Sequence, residues 1–157
     1  MTTETFDTAI ATEIIARHGQ RPERLVQILV EFVRRFGHVP GDAVTLLAAE
    51  LNLSRAEVHG VVSYYHDFRT TPPGRHVLKI CQAEACRAMG AVRLVAAAER
   101  LAGIALGETQ DALSIEPVYC LGNCALGPAA MFDGKTLGRV DAERLEALLD
   151  AIGETAS

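Results

Sequence analysis

Pro72 and Pro73, followed by Gly74, set the strongest limit on how this chain can fold. Each proline lacks an amide donor and pushes the residue before it to extended geometry. Neither a helix nor a central strand can therefore run through Thr70-Thr71-Pro72-Pro73-Gly74. The hydrophobic pattern changes across this break: apolar residues recur at helical spacing before it, and short apolar runs dominate after it. The break reads as a domain boundary, with a small helical bundle over residues 1–72 and an α/β domain over 73–157.

Four helices are expected before the break. Phe6, Ile10 and Ile14 fall at four-residue steps and stop near Gly19. Pro22 opens a second helix whose Leu25, Ile28, Leu29, Phe32 and Phe36 trace one apolar stripe, with Glu31, Arg34 and Arg35 on the other face, until Gly37 and Pro40 end it. Asp42 is the expected N-cap of a helix reaching Leu51, and Ser54-Arg55-Ala56-Glu57 fits a capping box before a fourth.

After the break, His76 to Ile80 reads as a buried strand ending at Cys81, and Gly90 to Leu101 as a helix offering Val92, Val95 and Leu101 to a core. Leu113 to Tyr119 reads as a second strand. Ala129 to Phe132 and Thr136 to Val140 form a hairpin around Asp133-Gly134, and Asp141 caps a last helix with Leu145, Leu148, Leu149 and Ile152 on one face before Gly153. This order predicts a four-stranded mixed sheet with helices packed against it, closest to a thioredoxin-like fold. It also places a pair of cysteines just beyond the end of each long strand.

A chain of 157 residues, 49% hydrophobic and 22% charged, can bury a core without disulfides. Its net charge is -5, and neither half has a basic surplus for phosphate backbones. A helix-turn-helix reading of the N-terminal half fails on the same ground, since Ser54 to Phe68 sets only Arg55 against Glu57 and Asp67. No nucleic-acid partner is expected. The N-terminus has neither the basic nor the apolar region of a signal peptide, and no apolar run approaches the roughly 20 residues of a membrane span. A cytoplasmic protein without direct membrane contact is expected, and in that reducing setting four cysteines read as metal or redox ligands rather than bridges.

Those cysteines are Cys81, Cys86, Cys120 and Cys124, a C-x4-C pair and a C-x3-C pair separated by 33 residues. A [2Fe-2S] cluster needs four thiolates, two per iron, and loops wide enough to leave space for the bridging sulfides. Each pair would serve one iron. Gly122 and Gly127 would let backbone amides approach the sulfurs. Three other readings stand beside this one: a zinc-stabilised interaction module, whose usual spacing C-x4-C only just meets; a dithiol redox enzyme, though its C-x-x-C motif is absent; and buried unligated cysteines. Only His76 lies near a cysteine, on the incoming strand rather than in its loop. No nucleotide-binding or activated-serine motif occurs, so no catalytic residue is expected in this chain. His59 and His66, with Tyr64, Tyr65 and Phe68, read as packing or as a partner contact.

Cys81-x4-Cys86, Cys120-Leu121-Gly122-Asn123-Cys124, and the stretch from Leu53-Ser54-Arg55-Ala56-Glu57-Val58 to Tyr64-Tyr65 resemble the small thioredoxin-like [2Fe-2S] subunit of NADH-oxidising modules. The likeness runs over about residues 20–150. That family includes one of the subunits of respiratory complex I, diaphorase subunits of NAD-reducing hydrogenases, and the gamma subunit of NAD-dependent molybdenum formate dehydrogenases. Gly60 to Phe68 and Lys79 to Cys86 are most similar to the formate dehydrogenase subunit. The threonines and proline usual between the first two cysteines of the complex I proteins are missing here. The resemblance implies that the four cysteines ligate one [2Fe-2S] cluster in a non-catalytic electron-transfer subunit. Its partner would be an FMN- and NAD-binding subunit, linked to a molybdenum-cofactor catalytic subunit with further iron-sulfur clusters.

Overall fold

The structure is a computed structural model that describes residues 5–110 and 112–154, with side chains as far as Ala151. The described residues fall into two compact units, divided between Pro72 and Pro73.

The first unit is all helical: α1 (Thr8–Arg17), α2 (Leu25–Phe36), α3 (Gly41–Glu50) and α4 (Arg55–Tyr64). Asp7 starts α1, its carboxylate accepting from the amides of Ala9 and Ile10. Pro22 begins a single 3-10 turn that leads into α2, and all five residues of the α2 stripe are buried. Gly37 ends that helix at φ +76°, a left-handed conformation that costs glycine least. The capping box of α4 is complete, with Ser54 Oγ accepting from the Glu57 amide and the Glu57 carboxylate accepting from the Ser54 amide. Phe6, Phe32 and Phe36 meet edge-on or tilted in the middle of this core, at 5.2–6.4 Å between ring centroids.

One expectation fails here. Asp42 is not the cap of α3: Pro40 holds the N-cap position in extended geometry, and Asp42 lies in the first turn. Gly41 can enter the helix, so it starts two residues earlier, and Asp42 then favours the helix N-terminus by its charge.

The second unit carries β1 (His76–Cys81), α5 (Glu84–Ala88), α6 (Ala91–Ala102), β2 (Thr109–Gln110), β3 (Leu113–Val118), β4 (Ala130–Phe132), β5 (Lys135–Leu137) and α7 (Ala142–Glu154). The sheet has five strands rather than four, in the order β2-β3-β1-β4-β5. The extra strand, β2, is a two-residue edge piece, too short to show any alternation in the sequence. β1 and β3 are parallel and central, and the other pairings are antiparallel. The two parallel strands need a crossover, which α6 supplies. Leu78, Ile80, Ile115, Leu94, Ala98 and Leu145 are buried between sheet and helices.

In α6 the phase differs from expectation. Val92 is 55% exposed, while Leu94 and Ala98 point inward and Val95 and Leu101 are partly buried. The last helix continues through Gly153 to Glu154; Leu145 is buried, Leu148 and Leu149 partly so, and the Ile152 side chain lies outside those described. Asp141 does cap it, its carboxylate accepting from the Arg144 amide at 2.9 Å. No helix among the described residues is long and apolar enough to cross a membrane.

Candidate metal centre

The two long strands deliver the cysteines. Cys81 is the last residue of β1 and pairs in register with Val118, the last residue of β3. Cys120 follows two residues later. Because β1 and β3 are parallel neighbours, both chains leave the sheet at the same end, and their loops meet there. The amide of Gln82 donates to the Val118 carbonyl at 2.8 Å and that of Cys81 to the Ala129 carbonyl at 3.0 Å, which extends the tie past the strand ends.

Beyond β1 the chain turns at once into α5. Cys86 sits on this single short helix, facing inward, and Cys81 and Cys86 are both 1% exposed. Ala91 and Ala129 are buried with them, and Ala83, Val118 and Leu121 pack against the group. The sequence Glu84-Ala85-Cys86-Arg87-Ala88 is a run of helix formers opening on an acidic residue, a signal that reading the segment as a plain loop overlooked.

The second pair is built differently. Cys120 has φ +93°, Gly122 φ +74°, and Cys124 opens a 3-10 turn that reaches Leu126. Both thiols are exposed, with their Sγ atoms 3.7 Å apart. The Gly122 amide donates to Cys120 Sγ at 3.4 Å. Gly138 lies against this loop, where a Cβ would come within 2.7 Å of Leu126 Cβ and 2.8 Å of Asn123 Nδ2.

The electrostatics follow from these surroundings. At Cys81 burial opposes ionisation, but the amides of Ala83, Cys120 and Leu121, together with Cys86, outweigh it and bring the thiol below its ordinary range. Two of those amides belong to the second loop. Burial raises Cys86, with the neighbouring Cys81 adding to the effect against an opposing amide from Ala129. Cys124 is raised chiefly by its contact with Cys120 and the charge there. Neighbouring sulfurs that raise one another's ionisation cost in this way ionise together more readily when a cation is bound among them.

All four sequence-predicted cysteines are thus brought to one end of the sheet, two and two. Among the described residues no three His, Cys, Asp or Glu side chains gather as ligands of one ion would. His76 stands at the other end of β1, its Nδ1 2.7 Å from Asp133 Oδ2 and its ring stacked on Phe132. Tyr64 and Tyr65 pack edge-on, 75% and 43% exposed, while Phe68 is buried.

The family model described as thioredoxin-like [2Fe-2S] ferredoxin matches residues 11–153. The chain belongs to this family. The donors present suit a [2Fe-2S] cluster: four thiols in two pairs, with amides directed at sulfur.

Two curated relatives show the range of the thioredoxin-like [2Fe-2S] family. The E 2 subunit of NADH-quinone oxidoreductase from Rhizobium meliloti (strain 1021) is 32% identical over 138 residues, 87% of this chain and 82% of the relative. The HndA subunit of the NADP-reducing hydrogenase from Solidesulfovibrio fructosivorans is 32% identical over 132 residues, 83% and 77% of the two chains. Among solved structures, an NAD+-reducing [NiFe]-hydrogenase in the air-oxidized state matches with a TM-score of 0.69 and 26% identity. That match covers 85% of this chain but 23% of the hydrogenase chain.

Proposed function

We propose that Cys81, Cys86, Cys120 and Cys124 hold one [2Fe-2S] cluster, and that the chain is the electron-transfer subunit of a cytoplasmic NAD-dependent formate dehydrogenase. The observation that carries the cluster assignment is the delivery of two thiol pairs to one end of adjacent parallel strands, with the Cys120 and Cys124 sulfurs 3.7 Å apart. When bound, such a cluster supplies one-electron transfer. The chain's own part is to hold the thiols, to keep the Cys81/Cys86 side dry with Ala91 and Ala129, and to aim amides at Cys81 and Cys120. The exposed Cys120/Cys124 side leaves a short path to a partner.

That partner, on this reading, is an FMN- and NAD-binding subunit, with formate oxidised on a molybdenum subunit bearing further iron-sulfur clusters. The formate assignment rests on the likeness of Gly60 to Phe68 and of Lys79 to Cys86 to the gamma subunit. A second reading, the equivalent subunit of a complex I arm or of a hydrogenase diaphorase, has the support of the NADH-quinone oxidoreductase and hydrogenase relatives. Anaerobic purification with its native partners separates these. About two irons and two sulfides per chain, a paramagnetic reduced state, molybdenum, and formate-dependent NAD reduction are expected. A colourless chain with one zinc would sink the cluster assignment; nickel or a complex I arm would overturn the formate assignment alone.

A further inference from the structure

The two cysteine pairs differ in what can reach them. Cys81 and Cys86 are each 1% exposed and packed under Ala91 and Ala129, whereas Cys120 and Cys124 both stand in solvent. The exposed sulfurs are already in contact at 3.7 Å, and an S–S bond of about 2.05 Å needs only a further small approach. The loop between them is free to make it. Gly122 holds φ +74° with nothing within 4 Å of its Cβ position, so no other segment blocks the closing of the turn. Its amide donates to Cys120 Sγ and so folds that sulfur back over its own loop, where Cys124 lies. With three residues between the cysteines and the sulfurs held together, closure costs little chain entropy.

We propose that Cys120 and Cys124 are a redox modification site: before a cluster is loaded they close to a reversible disulfide by exchange with a small-molecule disulfide. One thiol displaces a glutathione thiol from glutathione disulfide and becomes a mixed disulfide, and the second thiol then displaces the other glutathione. Two protein S–H bonds and one S–S bond break, while one protein S–S bond and two glutathione S–H bonds form. Two electrons pass from the protein to glutathione disulfide. A solitary exposed thiol would climb the oxidation ladder to irreversible acids, and a second sulfur in contact stops the climb at the disulfide. In a reducing compartment the bridge forms only when the thiol–disulfide balance turns oxidising. Closing it withholds two of the four proposed ligands, a consequence that rests on the cluster reading; the disulfide itself does not.

The test uses the full-length chain, stripped of iron by a chelator in dithiothreitol, freed of both without air, and held with a small excess of glutathione disulfide. Thiols left free are alkylated in denaturant and the chain is cut with trypsin. Cleavage after Lys79 and Arg87 puts Cys81 and Cys86 in peptide 80–87, and cleavage after Arg100 and Lys135 puts Cys120 and Cys124 in peptide 101–135. The two pairs are thus read separately. Peptide 101–135 is expected without alkyl groups and lighter by two hydrogens, and peptide 80–87 alkylated at both cysteines. Offered ferrous iron and sulfide, the oxidised chain should fail to develop the visible spectrum that the reduced chain develops, and dithiothreitol should restore it. In Cys124→Ser the exchange should stop with glutathione held on Cys120.

No disulfide, one within peptide 80–87, one joining the two peptides or two copies of the chain, or an oxidised chain that loads as readily as the reduced one would overturn the proposal. A reduced chain that takes up neither iron nor sulfide would sink the cluster reading alone, because the peptides report the disulfide by themselves.

Discussion

The amide of Gly122 points back at Cys120 Sγ across 3.4 Å, so the second cysteine loop solvates its own first sulfur. This arrangement requires Gly122 to hold φ +74°, where a side chain is strained. Gly122→Ala should let the loop relax and weaken that donor. With less positive charge facing the sulfur, the reduction potential of the cluster is expected to move negative of the parent, itself expected near the plant-type range of roughly -400 mV. A redox titration followed by electron paramagnetic resonance measures both values; a variant at or above the parent potential would contradict the role given to this amide.

Cys124→Ser should remove the cluster or strongly alter its visible spectrum while the helical unit keeps its far-ultraviolet dichroism. Cys124 is an exposed thiol at the mouth of the site and belongs to no part of the helical core. An unchanged spectrum would refute the ligand assignment.

Gly138→Ala tests the packing behind the second loop. The added methyl would meet Leu126 Cβ at 2.7 Å and Asn123 Nδ2 at 2.8 Å. The loop must shift, at a cost of about 1–3 kcal/mol, and iron retention during gel filtration should fall. Gly134→Ala makes a useful comparison: nothing lies within 4 Å of its Cβ position, so its cost is confined to the backbone strain of φ +83°.

Phe32→Ala should destabilise the helical unit by about 3–5 kcal/mol, because the ring is fully buried between Phe6 and Phe36. If the division at Pro72–Pro73 makes the units independent in folding, the visible spectrum of the cluster will outlast the helical dichroism on heating. Simultaneous loss of the two signals in the parent and the variant would show them to be one cooperative unit.

The Ser54–Glu57 capping box carries a pH prediction. The Ser54 amide, and then the Ser54 hydroxyl, hold the Glu57 carboxyl below its usual range in the folded chain. A carboxyl lowered on folding adds stability that is complete above the unfolded value of about 4.3 and is lost as the pH falls through the folded value. Glu57→Gln should therefore flatten the acid limb of the unfolding curve of the helical unit. Ser54→Ala, which removes the cap itself, should cost about 0.5–2 kcal/mol at neutral pH. Urea titrations at several pH values check both.

The parts of this molecule that were legible in the sequence are those set within one or two helical turns. The α2 stripe, the Ser54–Glu57 box and the Asp133-Gly134 turn all act through neighbouring residues, and the structure carries each of them. Two of the errors fall where a distant neighbour decides. Val92 and Leu94 are equally apolar, yet the partners of α6 fix its phase and leave Val92 in solvent. β2 exists only because its two residues find the free edge of β3.

The cysteine centre divides in the same way. Its composition and spacing, and with them the family of chemistry it can do, are properties of the sequence. That the two pairs lie at one end of the sheet follows from the parallel register of Cys81 and Val118, a pairing between residues far apart in the chain. Which pair is dry and which is wet was decided by tertiary structure alone. Both loops carry small residues between their cysteines, Ala83 and Ala85 in one and Gly122 in the other, but only the first has Ala91 and Ala129 packed around its thiols. Burial is a property of what lies on top of a segment, and spacing within the segment carries no record of it.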